Sequence, residues 1–420
     1  MRWYLTGVVV SGFGTTAMWL VSGIWVKSLT GSDGLAALTA FALWAPALLG
    51  PLLGTVADRF RRRPLLVALD LAAAAVLPLL LWVTSADRVW LLFAVLVLYG
   101  AQGAVHDAAE QALLSTGFDK GRLGSVNGWR MTAGESTKLV APLVAAGLFA
   151  RWGGGPVALL DAATFVLAAG AFAAVRVREE RPARAARERG AWRRETAEGV
   201  RLLASSPVLR PPVAAGSFMM LLAGVNGAAV YAVVDGLGRP AAYAGVLYAV
   251  QGAGSVLAGL TAGPLLRRVP ERLVCAGGLA LFAVAAGARA LPHEPAALAA
   301  SALIGLGMPW VLVAAVTAVQ REAPAEAAGR LAATANTALF VPNALALALG
   351  AALVTAVDPT VLLPALALAG LTGAALTAAP RRRTAPAAQD GPGWVARGAW
   401  PRGAGEHGGE GARARREEAG

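Results

Sequence analysis

Apolar residues run through this chain in blocks of about twenty, each closed by a short charged or glycine-containing segment. The blocks lie at 5–27, 34–57, 64–84, 89–113, 125–149, 155–175, 211–234, 241–266, 273–291, 295–319, 331–356 and 360–379. About 20 residues of helix are needed to cross the hydrocarbon of a bilayer, so the pattern predicts twelve transmembrane helices. A membrane β-barrel would instead show short alternating segments, and the sequence contains none. The expectation is an all-α polytopic membrane protein. The first block follows Met1-Arg2-Trp3-Tyr4 without a small-residue cleavage site and reads as a retained membrane helix.

Composition agrees with the block pattern: 57% of residues are hydrophobic and 15% charged, with a mean hydropathy of +0.59. The net charge of +12 would suggest nucleic acid in a soluble protein, but in a membrane protein arginines are counted by side. With the N-terminus inside, the inner loops hold Arg59, Arg61, Arg62, Arg63, Lys120, Arg122, Arg267, Arg268, Arg272, Arg321, Arg330 and Arg381 to Arg383. The outer loops hold only isolated cations, Lys27, Arg88, Arg151, Arg239 and Arg289. The asymmetry predicts both termini in the cytoplasm and a location in the inner (plasma) membrane, with no nucleic-acid partner. The single Cys275 excludes an intramolecular disulfide and reads as a packing residue.

The chain also repeats itself. Gly54 to Arg63 aligns with Gly263 to Arg272, 209 residues further on, and Gly121-Arg122-Leu123 aligns with Gly329-Arg330-Leu331. This predicts two pseudo-symmetric six-helix bundles, 1–175 and 211–379. Between them, residues 176–210 carry ten arginines against five glutamates. Trp192, Thr196, Val200 and Leu203 fall on one helical face there, which predicts an amphipathic helix on the cytoplasmic lipid surface, with a solvated linker as the alternative. Residues 380–420, rich in Gly, Pro, Ala and Arg, have no apolar period and are expected to be a disordered cytoplasmic tail.

The sharpest motif is Gly54-Thr-Val-Ala-Asp58-Arg59-Phe-Arg61-Arg62-Arg63, in the turn between the second and third blocks. A carboxylate at the membrane edge is costly unless paired, and four arginines in five residues resist crossing. The stretch resembles the signature of the major facilitator superfamily of secondary transporters, Gly-x-x-x-Asp-Arg-x-Gly-Arg-Arg. Gly54, Asp58, Arg59, Arg62 and Arg63 match it, while Arg61 stands where the family prefers Gly. Leu29-Thr30-Gly31-Ser32, Asp161-Ala-Ala-Thr-Phe165 and Glu198-Gly199-Val200-Arg201 with Pro207-Val208-Leu209-Arg210 are similar to the branch holding the enterobactin exporter and the macrolide efflux proteins. The resemblance implies that Asp58 sits against the N-terminus of the eleventh helix as half of a cytoplasmic latch. Three departures bear on coupling: Thr15 replaces that branch's carboxylate, Tyr99 precedes Gln102-Gly103 where antiporters carry arginine, and Ala141-Pro142-Leu-Val-Ala145-Ala146 replaces a glycine-rich stretch.

Ionisable residues inside the blocks mark candidate proton-coupling groups. Glu135 and Lys138, one turn apart in the fifth block, are read as a pair facing a central cavity, or equally as a permanent structural bridge. His106, Asp107 and Glu110 near the inner end of the fourth block read as a gate-side polar network or as loop-facing groups. No metal site is expected, because the sequence offers too few converging ligands, and an enzyme site on the three residues is opposed by consecutive His106 and Asp107 diverging by about 100° around a helix. The cavity is expected to be lined by Gln102, Asn226, Tyr231, Gln251, Trp310, Asn336 and Asn343, with Trp19, Trp25 and Phe41 from the first half. Trp82, Trp90 and Trp152, near block ends, read as interfacial anchors.

No phosphate-cradling Gly-x4-Gly-Lys-Ser/Thr loop occurs, so transport is expected to run on a gradient or passively, without cofactors. The expectation is a proton-coupled transporter of small hydrophobic or amphipathic molecules such as drugs, antibiotics, secondary metabolites or siderophores, in contact with membrane lipid; the branch resemblance alone implies export, and the superfamily resemblance implies a monomer. The alternatives are a metabolite importer or facilitator, a membrane-embedded enzyme using His106, Asp107 and Glu110, or a sensor that has lost transport.

Overall fold

The computed structural model describes residues 2–49, 53, 60–117, 134, 137, 139–175, 191–322 and 328–379, with backbone alone at 111, 112, 114–117, 191–196 and 328–330. Each of the twelve predicted blocks holds helix. In chain order these are α1 (Arg2–Thr30), α2 (Asp33–Trp44, continued by a 3-10 turn at Ala45–Leu49), α3 (Arg62–Val76, continued by a 3-10 turn at Leu77–Trp82), α4 (Val89–Gly117), α5 (Leu139–Trp152) and α6 (Gly154–Ala174). After a connecting helix α7 (Ala191–Ser205) come α8 (Arg210–Ala228), α9 (Val230–Gly236), α10 (Ala244–Arg268), α11 (Glu271–Ala288), α12 (Glu294–Glu322), α13 (Ala328–Ala356) and α14 (Pro359–Ala378). Among the described residues nine helices are long and apolar enough to span alone, while Asp33–Leu49 and Leu139–Trp152 are shorter. The predicted second and fifth spans continue into residues outside those described.

Local chemistry sets the ends. Gly31, at φ 69°, closes α1 with its N–H on the Lys27 carbonyl at 2.8 Å, a left-handed cap that favours glycine. At the next residue, the Ser32 side chain accepts from Leu35 N and Asp33 occupies the first turn of α2, so the chain reverses within three residues. Asp358 caps α14 in the same way, accepting from Thr360 N at 2.8 Å, ahead of Pro359 at the first helical position. Its hydrogen bonds to the Thr360 hydroxyl and N–H hold the carboxyl below the usual carboxylate range. The seventh predicted span differs from expectation in being broken: Ala229, at ψ −2°, leaves α-helical geometry and separates α8 from α9.

Helix α7 forms where the amphipathic pattern predicts a helix, and near its C-terminal end two leucines meet protein. Leu202 and Leu203 pack with Leu209, Val213, Val319, Leu331 and Ala335, at the ends of α8, α12 and α13, and Val200 is exposed. Residues 197–205 turn by 114° into α8.

Within each half the helices approach closely along seams of small residues, as membrane helices do where backbones must touch. Gly100 lies on the Leu43 carbonyl, Gly305 on the Gln251 carbonyl and Gly254 on the Ala302 carbonyl. Across the halves, the close contacts gather at the end where α1 finishes, opposite Arg61–Arg63. There Gly34 faces Thr355 and Ala351, Gly245 faces Ala146 and the Pro142 carbonyl, and Ala37 packs with Ala228 and Ala351. One core cluster joins Leu20, Ile24, Ala36 and Ala146 to Val230, Tyr231, Val234, Ala244 and Leu247, so the two halves share apolar packing at this end.

Candidate transport site

A chain of buried polar groups runs through the first half near the end that carries Arg61–Arg63. Asp70 projects from α3 and is completely buried, and its Oδ1 lies 3.2 Å from Nε2 of His106 on α4. One turn further along α4, buried Glu110 accepts a hydrogen bond from the hydroxyl of Tyr4 on α1. The Phe172 ring of α6 stands edge-on to His106 at 5.6 Å and tilted against Tyr4 at 6.2 Å, closing the side of the chain. A carboxylate at such a site costs several kcal/mol unless it is protonated or paired. The Asp70–His106 approach is electrostatic, with no hydrogen bond formed at either Asp70 oxygen or at His106 Nε2, while Glu110, within 4.8 Å of His106, is reached by the Tyr4 hydroxyl. The arrangement brings titratable side chains of α1, α3 and α4 close together.

A second buried cluster lies deeper in the same half. Asp161 of α6 is fully buried and accepts from Tyr99 Oη at 2.9 Å and from Thr164 Oγ1 at 3.2 Å, and Tyr99 Oη also lies 3.0 Å from Thr15 Oγ1. Gly14 makes room for the carboxylate, since a Cβ at that position would enter the space of Asp161 and Thr164. Thr15 and Tyr99, two of the three departures noted in the sequence, therefore meet each other, and Tyr99 carries the contact on to Asp161.

The halves also meet through polar and aromatic side chains. Lys27 Nζ lies 2.7 Å from Asp33 Oδ1 and 2.5 Å from Asp235 Oδ2. Trp19 stacks edge-on against Tyr248 at 4.9 Å, and the Tyr231 hydroxyl reaches the Leu20 carbonyl at 3.4 Å. In the second half, Arg289 is 3% exposed and donates to Ser301 Oγ at 2.7 Å, while its Nε has no hydrogen-bond acceptor. No carboxylate ion-pairs with it among the described residues. Between α9 and α10, the exposed guanidinium of Arg239 is held above its ordinary range by its hydrogen bond to Glu294.

The residues singled out in the sequence divide three ways. Gly54, Asp58, Arg59, Glu135 and Lys138 lie outside the described residues. Arg62 and Arg63 begin α3; Arg63 donates from Nη2 to the Ala173 carbonyl, and Arg62 Nε is buried without an acceptor. Of the expected cavity residues, Asn226 and Tyr231 are buried, and Gln102, Gln251, Trp310 and Asn343 are half-buried. Asn336 is exposed, Trp310 donates to Thr261 Oγ1 at 3.0 Å, and the Asn226 Oδ1 and Gln102 Nε2 atoms are buried without partners. Trp25 packs into the core of the first half against Gly154, while Trp82, Trp90 and Trp152 are exposed at helix ends.

One donor of each of His106, Asp107 and Glu110 lies within 4.8 Å of the others. Side-chain reach thus brings together groups whose backbone directions diverge, against the expectation drawn from helical geometry. Asp107 is the exposed member, whereas Glu110 accepts from Tyr4 and His106 faces Asp70. Asp70 and Asp161 were not among the candidates, although a lone carboxylate inside an apolar block is itself a signal. Tyr4, Arg289 and the pairing of Lys27 with Asp235 carry no comparable mark in the sequence.

The helices and buried polar groups define a multi-pass membrane protein. A family model for the Major Facilitator Superfamily matches residues 4–347, and the chain belongs to that family. No curated protein sequence matches it. Among solved structures, a mutant of the nucleoside transporter NupG is similar at a TM-score of 0.72 and 13% identity, over 89% of this chain and 98% of that one. A mutant of the peptide transporter POT bound to alafosfalin is similar at 0.70 and 14%, over 90% and 93%. A bacterial homologue of the iron transporter ferroportin, in an inward-facing state, is similar at 0.66 and 15%, over 90% and 96%. At these identities the likeness is one of fold.

Proposed function

We propose that this chain exports small hydrophobic or amphipathic molecules by alternating access of its two halves, driven by protons. The observation that supports the coupling is the buried cluster of Asp70, His106, Glu110 and Tyr4, titratable groups that three helices of one half place beside one another. A proton on His106 keeps the Asp70 carboxylate paired, and its loss leaves a buried charge that favours rearrangement of α3 against α4. Glu135 and Lys138 remain proposed participants. Closure at the end where α1 finishes corresponds to one access state, with the Asp58 latch acting at the opposite end, which positive charge assigns to the cytoplasm. Export as the direction rests on the resemblance of residues 29–32, 161–165 and 198–210 to the efflux branch.

The test is transport by purified protein in liposomes with an imposed pH gradient, against a panel of lipophilic cations, macrolides and siderophores. The proposal expects gradient-dependent movement of at least one of these, lost in His106→Gln and Asp70→Asn with substrate exchange retained. Transport indifferent to the gradient would remove the coupling, and net uptake in the direction of import would reverse the assignment.

A further inference from the structure

At the membrane face that bears Arg61–Arg63, both halves repeat one piece of geometry. Arg63 opens α3 and donates to the carbonyl of Ala173 at the end of α6. Arg272, 209 residues later, lies in the first turn of α11 and donates from Nη1 to the carbonyl of Ala379, just past α14, at 2.8 Å. Each arginine satisfies one of the carbonyls that a helix leaves unpaired at its C-terminus, where a cation is also favoured by the helix dipole.

Capping accounts for the two hydrogen bonds but not for the space beside them. Next to Arg272 lies a groove of about 690 Å³ lined by Pro211 and Phe218 of α8 and by Leu368, Thr372 and Leu376 of α14. Gly373 lets the Phe218 ring lie directly on α14 at its floor, since a Cβ there would be 2.6 Å from that ring. Beside Arg63 lies a second groove of about 510 Å³, lined by Arg61, Pro64, Val67, Leu71 and Ala173. The wall from Ala365 to Ala379 is roughly 20 Å of helix, more than the ~15 Å depth of one hydrocarbon leaflet. Charge stands at one end of each groove: Arg272 in one, Arg61 and Arg63 in the other.

From this we infer that each groove binds one anionic phospholipid of the arginine-side leaflet, with the phosphate on Arg63 or Arg272 and an acyl chain along the apolar wall. Guanidinium matches phosphate with paired hydrogen bonds and is weakly hydrated, so it suits a headgroup at the polar edge of an apolar slot. A zwitterionic headgroup adds a cation to a region that already holds several arginines. The same charge argues against the chain's own next residues as occupant, because Arg381 to Arg383 repel Arg272.

The experiment is native mass spectrometry of the purified full chain, released from micelles doped with phosphatidylglycerol or with phosphatidylcholine of identical acyl chains. Wild type is expected to retain two more copies of phosphatidylglycerol than of phosphatidylcholine. Arg272→Gln and Arg63→Gln should each lose one copy, and the double variant both. Ala365→Trp fills the larger groove while leaving both arginines in place, and should also lose one copy, which keeps the test decisive if an arginine variant folds poorly. Equal retention of the two lipids by wild type, or wild-type retention by the double variant, would overturn the inference. So would loss of the retained lipid on removing residues 381–420 together with indifference to Ala365→Trp.

Discussion

Lys27 and Asp235, 208 residues apart in the chain, meet at 2.5 Å across the two halves. The same ammonium holds Asp33 at 2.7 Å and the Gly31 carbonyl at 3.0 Å, so one side chain ties the end of α1 to the start of α2 and to α9. Its position at the outer rim of the shared apolar packing makes it a tie between halves that must part if access alternates.

Breaking this tie should open the outer end. Asp235 is 49% exposed, so solvent reduces the pair to about 0.2 to 1 kcal/mol, at most a five-fold shift between closed and open states. Lys27→Ala is expected to raise labelling of Ala37→Cys by a membrane-impermeant maleimide several-fold, in a background with Cys275→Ala. Unchanged labelling would show that apolar packing alone holds the closure.

Steric contact at the same end should matter more than charge. A Cβ on Gly23 would enter the Tyr231 hydroxyl on the opposite half, and one on Gly34 would lie 2.5 Å from Thr355 Cγ2. Gly23→Ala must therefore separate α1 from α9 or displace the Tyr231 ring, and overpacking of this kind costs about 1 to 3 kcal/mol. Spin labels on the outer ends of α1 and α9 should show a longer distance in Gly23→Ala, restored by adding Tyr231→Ala. A wild-type distance in the single variant would mean that the ring simply turns aside.

Arg289 presents the opposite case, a buried cation whose hydrogen-bond partner among the described residues is the neutral Ser301. Desolvation without a counter-charge is costly, and apolar replacement of poorly compensated buried charge often stabilises by about 1 to 4 kcal/mol. Arg289→Met keeps the unbranched stem without the charged head, and should raise the unfolding temperature of the detergent-purified protein. A fall would show that the guanidinium is compensated by a group beyond the described residues.

Asp58→Asn tests the latch that the family signature implies. A carboxylate at a helix N-terminus contributes about 0.3 to 2 kcal/mol, enough to bias a balanced two-state equilibrium. Turnover should fall sharply while membrane insertion and substrate binding stay near wild type. Wild-type transport rates would leave the motif with a topological role only.

How far the sequence reaches follows from the range of the forces involved. Span positions were legible because a bilayer demands about 20 apolar residues whatever the neighbours, and Gly31, Ser32 and Asp358 end helices by chemistry within a few residues of themselves. The break at Ala229 was not, since alanine is the best helix former and nothing local marks the site. His106 and Glu110 could be found as charged groups on one face, but their partners Asp70 and Tyr4 come from other helices. The meetings of Lys27 with Asp235 and of Trp19 with Tyr248 likewise depend on how the halves dock.

The pairing of Asp70 with His106 supplies the most direct test of coupling. If the proton on His106 keeps the Asp70 carboxylate neutralised, removing either partner removes the energetic difference between loaded and unloaded states. Asp70→Asn keeps shape and hydrogen-bonding capacity but cannot be ionised, and His106→Gln keeps polarity without titrating. Both should abolish accumulation against a pH gradient while leaving exchange of labelled for unlabelled substrate within about two- to three-fold of wild type, because exchange needs no net proton movement. Tyr4→Phe removes the donor to Glu110 without touching the Asp70 contact, so it should slow gradient-driven transport without uncoupling it. Loss of exchange and accumulation together in all three variants would instead identify the chain of polar groups as a packing element between α1, α3 and α4.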